Sequence, residues 1–219
     1  MNGIINFFQQ GGVFMYPIAI VLVIGVGIAI ERWVLLSASR SSNKRVFNRI
    51  MPLLKKKDYG AVVDVARKTK APVGRIVAAG LARMQHSSRR DDVEYAMEEG
   101  VLEAVPKLEK RTQYVATLAN IATLLGLLGT IMGLIDAFTA VATADPSEKA
   151  AMLSSSISTA MNTTAFGLMS AIPLLLFHAA LQNKTNEIVD SLEMAGVKSL
   201  NTIANNGAFS SHTRTSDAL

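Results

Sequence analysis

Three stretches of the chain carry no charged side chain: Gly11 to Ile30, Thr112 to Ile135 and Ala150 to Asn183. Each reaches the roughly 20 apolar residues that a helix rising about 1.5 Å per residue needs to cross about 30 Å of hydrocarbon. Polar residues inside them are mostly Ser, Thr, Gly and Asn, which a membrane helix accommodates by bonding its own backbone or a neighbouring helix. The pattern predicts transmembrane helices over 13–35, 112–138 and 154–183. The third run is about 34 residues, roughly 51 Å at helical rise, so part of it leaves the lipid.

Between the first two spans the periodicity predicts helices over Arg45 to Lys57, Tyr59 to Lys68 and Val73 to Gln85, and another from Asp91 onward. Asp91-Asp92 ahead of Val93 and Met97 is a helix-start signature, because carboxylates are favoured at a helix N-terminus. That last helix is expected to run through Pro106 into the second span, kinked or straight. After the third span, Ile188, Leu192, Val197 and Leu200 mark one face of a further helix over 184–204, followed by a flexible Ser/Thr-rich tail over 205–219. At the other end, Ile4, Ile5, Phe7 and Phe8 predict a short amphipathic segment over 1–12. No alternating run of strand length interrupts this, and the class is all-α.

Charge sets the topology. Of the 22 Lys and Arg residues, 18 lie between Arg32 and Arg111. Only Lys149 lies between the second and third spans, and none precedes the first. The positive-inside rule puts the N-terminus outside, a helical domain over 36–111 in the cytoplasm, a loop over 139–153 outside and the tail inside. The net charge of +5 is then a topological signal, and no nucleic-acid partner is needed to explain it. Arg32 and Trp33 read as interfacial anchors at the end of the first span. That span has no basic n-region and no small-x-small cleavage site, so it reads as retained and not as a signal peptide. Cysteine is absent, which excludes disulfides, thiol nucleophiles and Cys-based metal sites. His86, His178 and His212 do not pair at ligand spacing, so no metal or cofactor is expected. No His/Asp/Glu/Ser constellation at membrane depth suggests an enzyme.

The second span holds the most informative pattern. Ala119, Thr123, Gly126, Thr130, Gly133, Ala137 and Ala140 recur at steps of four and three, lining one helix face with small residues and two hydroxyls. In the third span Ser156, Thr159, Thr163, Gly167 and Ser170 form a similar stripe. Such faces serve as small-xxx-small packing surfaces, Gly129-x-x-x-Gly133 among them, and the same faces can line a pore in a ring of subunits. No ionisable residue sits near the middle of any span; Asp136 lies near the outer end of the second and can enrich cations at a mouth. A titrating carboxylate, if ions move by protonation, comes from another protein.

Two segments, GLLGTIMGLIDAF at Gly126 to Phe138 and SISTAMNTTAFGLMSAIP at Ser156 to Pro173, resemble the MotA/TolQ/ExbB family of proton-channel proteins. Three spans and a large cytoplasmic segment are similar to its ExbB/TolQ branch. The resemblance implies a polytopic protein of the bacterial inner membrane with a periplasmic N-terminus and cytoplasmic C-terminus, assembled as a ring-forming homo-oligomer, a pentamer. The ring would enclose the single spans of an ExbD/TolR-like dimer that supplies a membrane aspartate, with a TonB-like protein as a further partner and membrane lipid around it. It implies that Thr130 and Thr164 line the ion pathway, together with Thr123, Ser156, Thr159 and Thr163. Gly126, Gly129, Gly133, Gly167 and Pro173 would shape the packing of the pore helices. Where ExbB-like relatives carry a glutamate in the third span this chain has Thr159, which leaves both H+ and Na+ open as the transported ion. The implied role is to energise TonB-type outer-membrane transport; Tol-type envelope maintenance, a gliding or motility motor, and a non-conducting helical scaffold are the alternatives.

Overall fold

The computed structural model describes residues 11–209, and among these every regular element is a helix. In chain order they are α1 (Met15–Lys55), α2 (Tyr59–Arg67), α3 (Pro72–Met84), α4 (Arg90–Glu109), α5 (Thr112–Thr143) and α6 (Lys149–Asn205). Three helical stretches, within α1, α5 and α6, are long and apolar enough to cross a membrane. Residues 1–10 of the amphipathic segment expected over 1–12, and residues 210–219 of the tail expected over 205–219, lie outside the described residues.

Several expectations about helix boundaries are corrected. Arg45 to Lys57 is not a separate helix: Arg45 to Lys55 is the last part of α1, a single helix of 41 residues, and Lys56 and Lys57 form the turn after it. Nothing between Trp33 and Pro52 stops a helix, and Pro52 sits too near the end to break it. The helix from Asp91 does pass Pro106 but does not reach the second span unbroken. It ends at Glu109, and Arg111 takes a left-handed conformation, φ 66°, before α5 starts at Thr112. The helices also continue into the expected outer loop, so that only 144–148 separate α5 from α6.

The chain divides into two compact units. The first comprises Arg111–Gln182 with the chain up to Trp33. Its packing faces are small and its outer faces large. Along α5 the buried positions are Val115, Ala119, Ala122, Gly126, Gly129 and Ala137, and along α6 they include Ala160, Thr163, Gly167 and Ser170. Val23, Leu124, Phe138 and Leu176 are exposed. Lipid provides no hydrophobic drive between helices, so close backbone approach through small residues is what holds such a bundle together. Leu174 of α6 fills the space over Gly25 of α1, where a Cβ would lie 2.8 Å from Leu174 Cδ2.

The second unit comprises Val34–Lys110 with the chain from Asn183. α1 ends in a Schellman motif: Lys57, φ 61°, donates to the Leu54 carbonyl at 3.0 Å and Asp58 to the Leu53 carbonyl at 3.1 Å. Asp58 then caps α2, its Oδ1 accepting from Ala61 N at 3.1 Å. α3 opens on Pro72 at its first turn, and Gly80 and Gly100 let α3 and α4 close on Met97 and Ile76. The distal parts of α1 and α6 are joined by Lys184 Nζ to Ser37 Oγ (2.6 Å), Arg40 to Glu187 (2.8 Å) and Asn206 Nδ2 to the Leu54 carbonyl (2.8 Å). Ile188, Leu192 and Leu200 are buried as expected, but Val197 points outward. Its place on the inner face is taken by Ala195 and Ser199, which continue the four-three steps from Thr185, Ile188 and Leu192.

Candidate functional site: a threonine cluster on the α5–α6 seam

The seam where α5 meets α6 is built on missing side chains. A Cβ on Gly126 would lie 3.2 Å from Gly167 Cα, and one on Gly167 would lie 2.8 Å from the Ala122 carbonyl oxygen. A Cβ on Gly133 would meet Ala160 Cβ at 2.9 Å, and one on Gly129 would overlap the Thr163 methyl. The two backbones therefore approach until side chains of one helix reach main-chain carbonyls of the other.

This close approach creates the hydroxyl cluster. Thr164 Oγ1 of α6 donates to the Gly126 carbonyl of α5 at 2.8 Å, across the helix interface. Thr130 Oγ1 lies 2.9 Å from Thr164 Oγ1 and 2.8 Å from the Leu127 carbonyl. Each hydroxyl has one proton. With the Thr164 proton on Gly126, Thr130 donates either to Thr164 or to Leu127, and the two hydroxyls retain acceptor capacity on the half-buried face they share. Gly126 O is also 3.3 Å from Thr130 Oγ1, so three neutral oxygens, two hydroxyl and one carbonyl, stand together.

The other sequence-selected residues are placed differently. Thr163 is buried, and its hydroxyl faces away from the cluster, donating to the Gly11 carbonyl at 2.5 Å or to the Thr159 carbonyl at 2.9 Å. It ties α6 to the turn that leads into α1. Thr159 is half-buried with its hydroxyl on the Ser155 carbonyl at 3.2 Å, and its methyl faces Gly12, whose φ of 73° suits glycine. Thr123 is exposed, its hydroxyl bonded back to Ala119 O at 3.2 Å, and Ser156 is half-buried. Asp136 and Pro173 are both exposed, Pro173 within the unbroken α6. The stripe read from the sequence is thus resolved into two: Gly126 and Gly133 lie on the seam with Ala122 and Gly129, and Ala119 and Ala137 are buried, while Thr123 and Thr130 flank it.

Three features were not visible in the sequence. Ser170 is fully covered, and its hydroxyl has no partner among the described residues. Glu31 and Arg111 form an ion pair at 3.0 Å, joining the end of the first span to the start of α5. Arg32, expected among lipid headgroups, is buried; its helical phase puts it one turn after Ala29 on the packed face, a signal that its charge obscured. Among the described residues no group of His, Asp and Glu gathers at metal-binding distances.

The sequence model of the MotA/TolQ/ExbB proton channel family matches residues 68–194, more than half of the chain. A Synechocystis protein named biopolymer transport protein ExbB-like 3 is 27% identical over 170 residues, 77% of this chain and 80% of its own length. An ExbB homologue of Methanothermobacter thermautotrophicus is 26% identical over 196 residues, covering 87% and 67% of the two chains. The Tol-Pal system protein TolQ of Haemophilus influenzae is 33% identical over 84 residues, 38% of this chain and 36% of that one. The matched region contains the whole of α5, the threonine cluster and most of α6. A three-span, all-helical membrane protein with this seam and these relatives belongs to the MotA/TolQ/ExbB proton channel family.

Proposed function

We propose that the chain is an ExbB/TolQ-like channel subunit of an ion-driven motor in the bacterial inner membrane. In this reading it forms a pentameric ring with its N-terminus in the periplasm and its second unit in the cytoplasm. The ring surrounds the spans of an ExbD/TolR-like dimer that brings the membrane aspartate. Ions flowing down their gradient neutralise those aspartates in turn, the dimer rotates, and the work energises TonB-type outer-membrane transport through a TonB-like protein. Each elementary charge crossing supplies about 2.3 kcal/mol per 100 mV, a scale suited to mechanical work that couples several ions.

The observation that carries the reading is the Thr130–Thr164–Gly126 oxygen cluster, at 2.8 to 3.3 Å, in spans whose central parts hold no ionisable residue. Such a cluster can hydrate or coordinate a cation; it cannot itself take up a proton at neutral pH. The carboxylate must then be a partner's. Three clustered neutral oxygens, with Thr159 where relatives carry a glutamate, favour Na+ as a second reading of the ion, because hard cations are held by oxygen ligands.

The test is ion flux into vesicles containing the chain and a co-expressed aspartate-bearing, single-span partner. Thr130→Val or Thr164→Val keeps the shape and removes a hydroxyl, and is expected to lower flux about tenfold, the scale of one lost hydrogen bond of 1–1.5 kcal/mol. A scaffold that conducts nothing would show no partner-dependent flux and no effect. Flux that follows Na+ at fixed pH selects sodium, and flux that follows pH without Na+ selects protons. Tol-type envelope maintenance or a gliding or motility motor would share the flux and differ in which third protein co-purifies.

A further inference from the structure

Among the described residues, two grooves of the second unit share one stretch of α6. The first, about 360 Å³, lies between α4 and α6 over Met97, Val101 and Leu200. Its rim holds Glu94, Glu98 and Glu193, none of them ion-paired among the described residues, and two exposed apolar side chains, Leu102 (71% exposed) and Val197 (53%). The second, about 300 Å³, is formed by α1, the start of α3 and α6 over Phe47, Val73 and Leu192. Its rim holds Arg40, Lys44 and Lys198, with Met194 (56% exposed) beside them. Arg40 is occupied by Glu187 at 2.8 Å; Lys44 and Lys198 have no ion-pair partner among the described residues.

One groove is therefore acidic and the other basic, and α6 sets their directions. At about 100° per residue, Glu193, Gly196, Val197 and Leu200 lie on roughly the opposite side of the helix from Ser191, Met194, Ala195 and Lys198. Complementary surfaces on opposite faces of one molecule are what a head-to-tail contact between identical copies requires. Pairing either groove with itself would set carboxylate against carboxylate or cation against cation, which disfavours a two-fold contact. Copies inserted in one membrane with one topology are related only by axes along the membrane normal. Successive head-to-tail contacts of that kind close into a ring when each copy is turned from the last by a whole fraction of a full turn.

We infer that the acidic groove between α4 and α6 of one copy receives the basic rim of the next, with Leu102 and Val197 packing against Met194 and Phe47 of the neighbour. The contact rests on the ring reading above and adds its residues and its polarity: this surface of the second unit holds successive copies together.

The absence of cysteine makes the test direct. In the full-length chain, Leu102→Cys combined with Met194→Cys and treated with a short bismaleimide in native membranes should give a ladder of covalent multimers beyond the dimer. Each single variant should remain monomeric on the gel. Dimers from either single variant, or no ladder from the double variant, would overturn the head-to-tail contact. In a second measurement, Glu98→Lys with Glu193→Lys should reduce the ring about tenfold or more by native mass spectrometry in detergent, the scale of close interfacial charge pairs, and Lys44→Glu with Lys198→Glu in the same chain should restore it. A ring indifferent to the charge reversal would overturn this contact and leave the ring standing; a wild-type chain that stays monomeric would overturn both.

Discussion

At the residue scale the structure separates two adjacent threonines that the sequence presents as equivalent. Thr164 points its hydroxyl across the seam to the Gly126 carbonyl, whereas Thr163, one position and about 100° away, points to Gly11. They should fail differently. Thr163→Val is expected to cost about 1 kcal/mol of stability, the net worth of one hydrogen bond, with flux affected only as far as the fold is loosened. Unfolding in mixed detergent–SDS micelles measures the cost. Lys57 offers the opposite sign. Its left-handed backbone at the end of α1 is one that a β-carbon opposes and glycine accepts, so Lys57→Gly should raise stability by about 1 kcal/mol, seen as a higher midpoint in thermal unfolding.

At the element scale, α6 shows how one helix serves two environments. Leu174 is fully covered, against Gly25, while Leu176 two positions on is exposed. In lipid an exposed leucine gains nothing from burial elsewhere, so only the packed one should matter. Leu174→Ala is expected to cost about 2 kcal/mol or more through the cavity it leaves, and Leu176→Ala less than about 0.5 kcal/mol, again read from SDS titrations. The existence of these helices was legible in the charge-free runs and the four-three spacing. The break at Lys110–Arg111 was not, because the residue that signals a break, Pro106, lies inside α4, and the residue that makes it, Arg111, is not glycine. Likewise Val197 fits the apolar period of α6, yet smaller neighbours at Ala195 and Ser199 take the inner face.

At the scale of the whole molecule, the three spans could be read from the charge-free runs, and the family from two sequence segments because close-packed membrane helices tolerate few alternatives to small residues. The candidate site was legible only in part. Periodicity grouped Thr123 with Thr130, but which of them meets α6 depends on the rotation of one helix against another, and that is fixed by Gly126, Gly129 and Gly167 together. The bonds of Thr163 to Gly11 and of Arg111 to Glu31 join residues 152 and 80 positions apart and leave no local trace.

The glycine seam has a consequence for the genetics of this protein. At Gly167 the obstacles to a side chain are main-chain atoms, the Ala122 oxygen and Gly126 Cα. No exchange at Ala122 or Gly126 removes them. Gly167→Ala should therefore behave as a lesion that selection repairs by restoring glycine itself, never by a partner change across the seam. Gly133 is obstructed by the Ala160 methyl and Gly25 by the Leu174 side chain, groups that mutation can trim. Gly133→Ala should be suppressed by Ala160→Gly, and Gly25→Ala by a smaller residue at Leu174. In a growth selection scored by sequencing revertants, second-site suppressors in direct contact should appear for the latter two and be missing for the first.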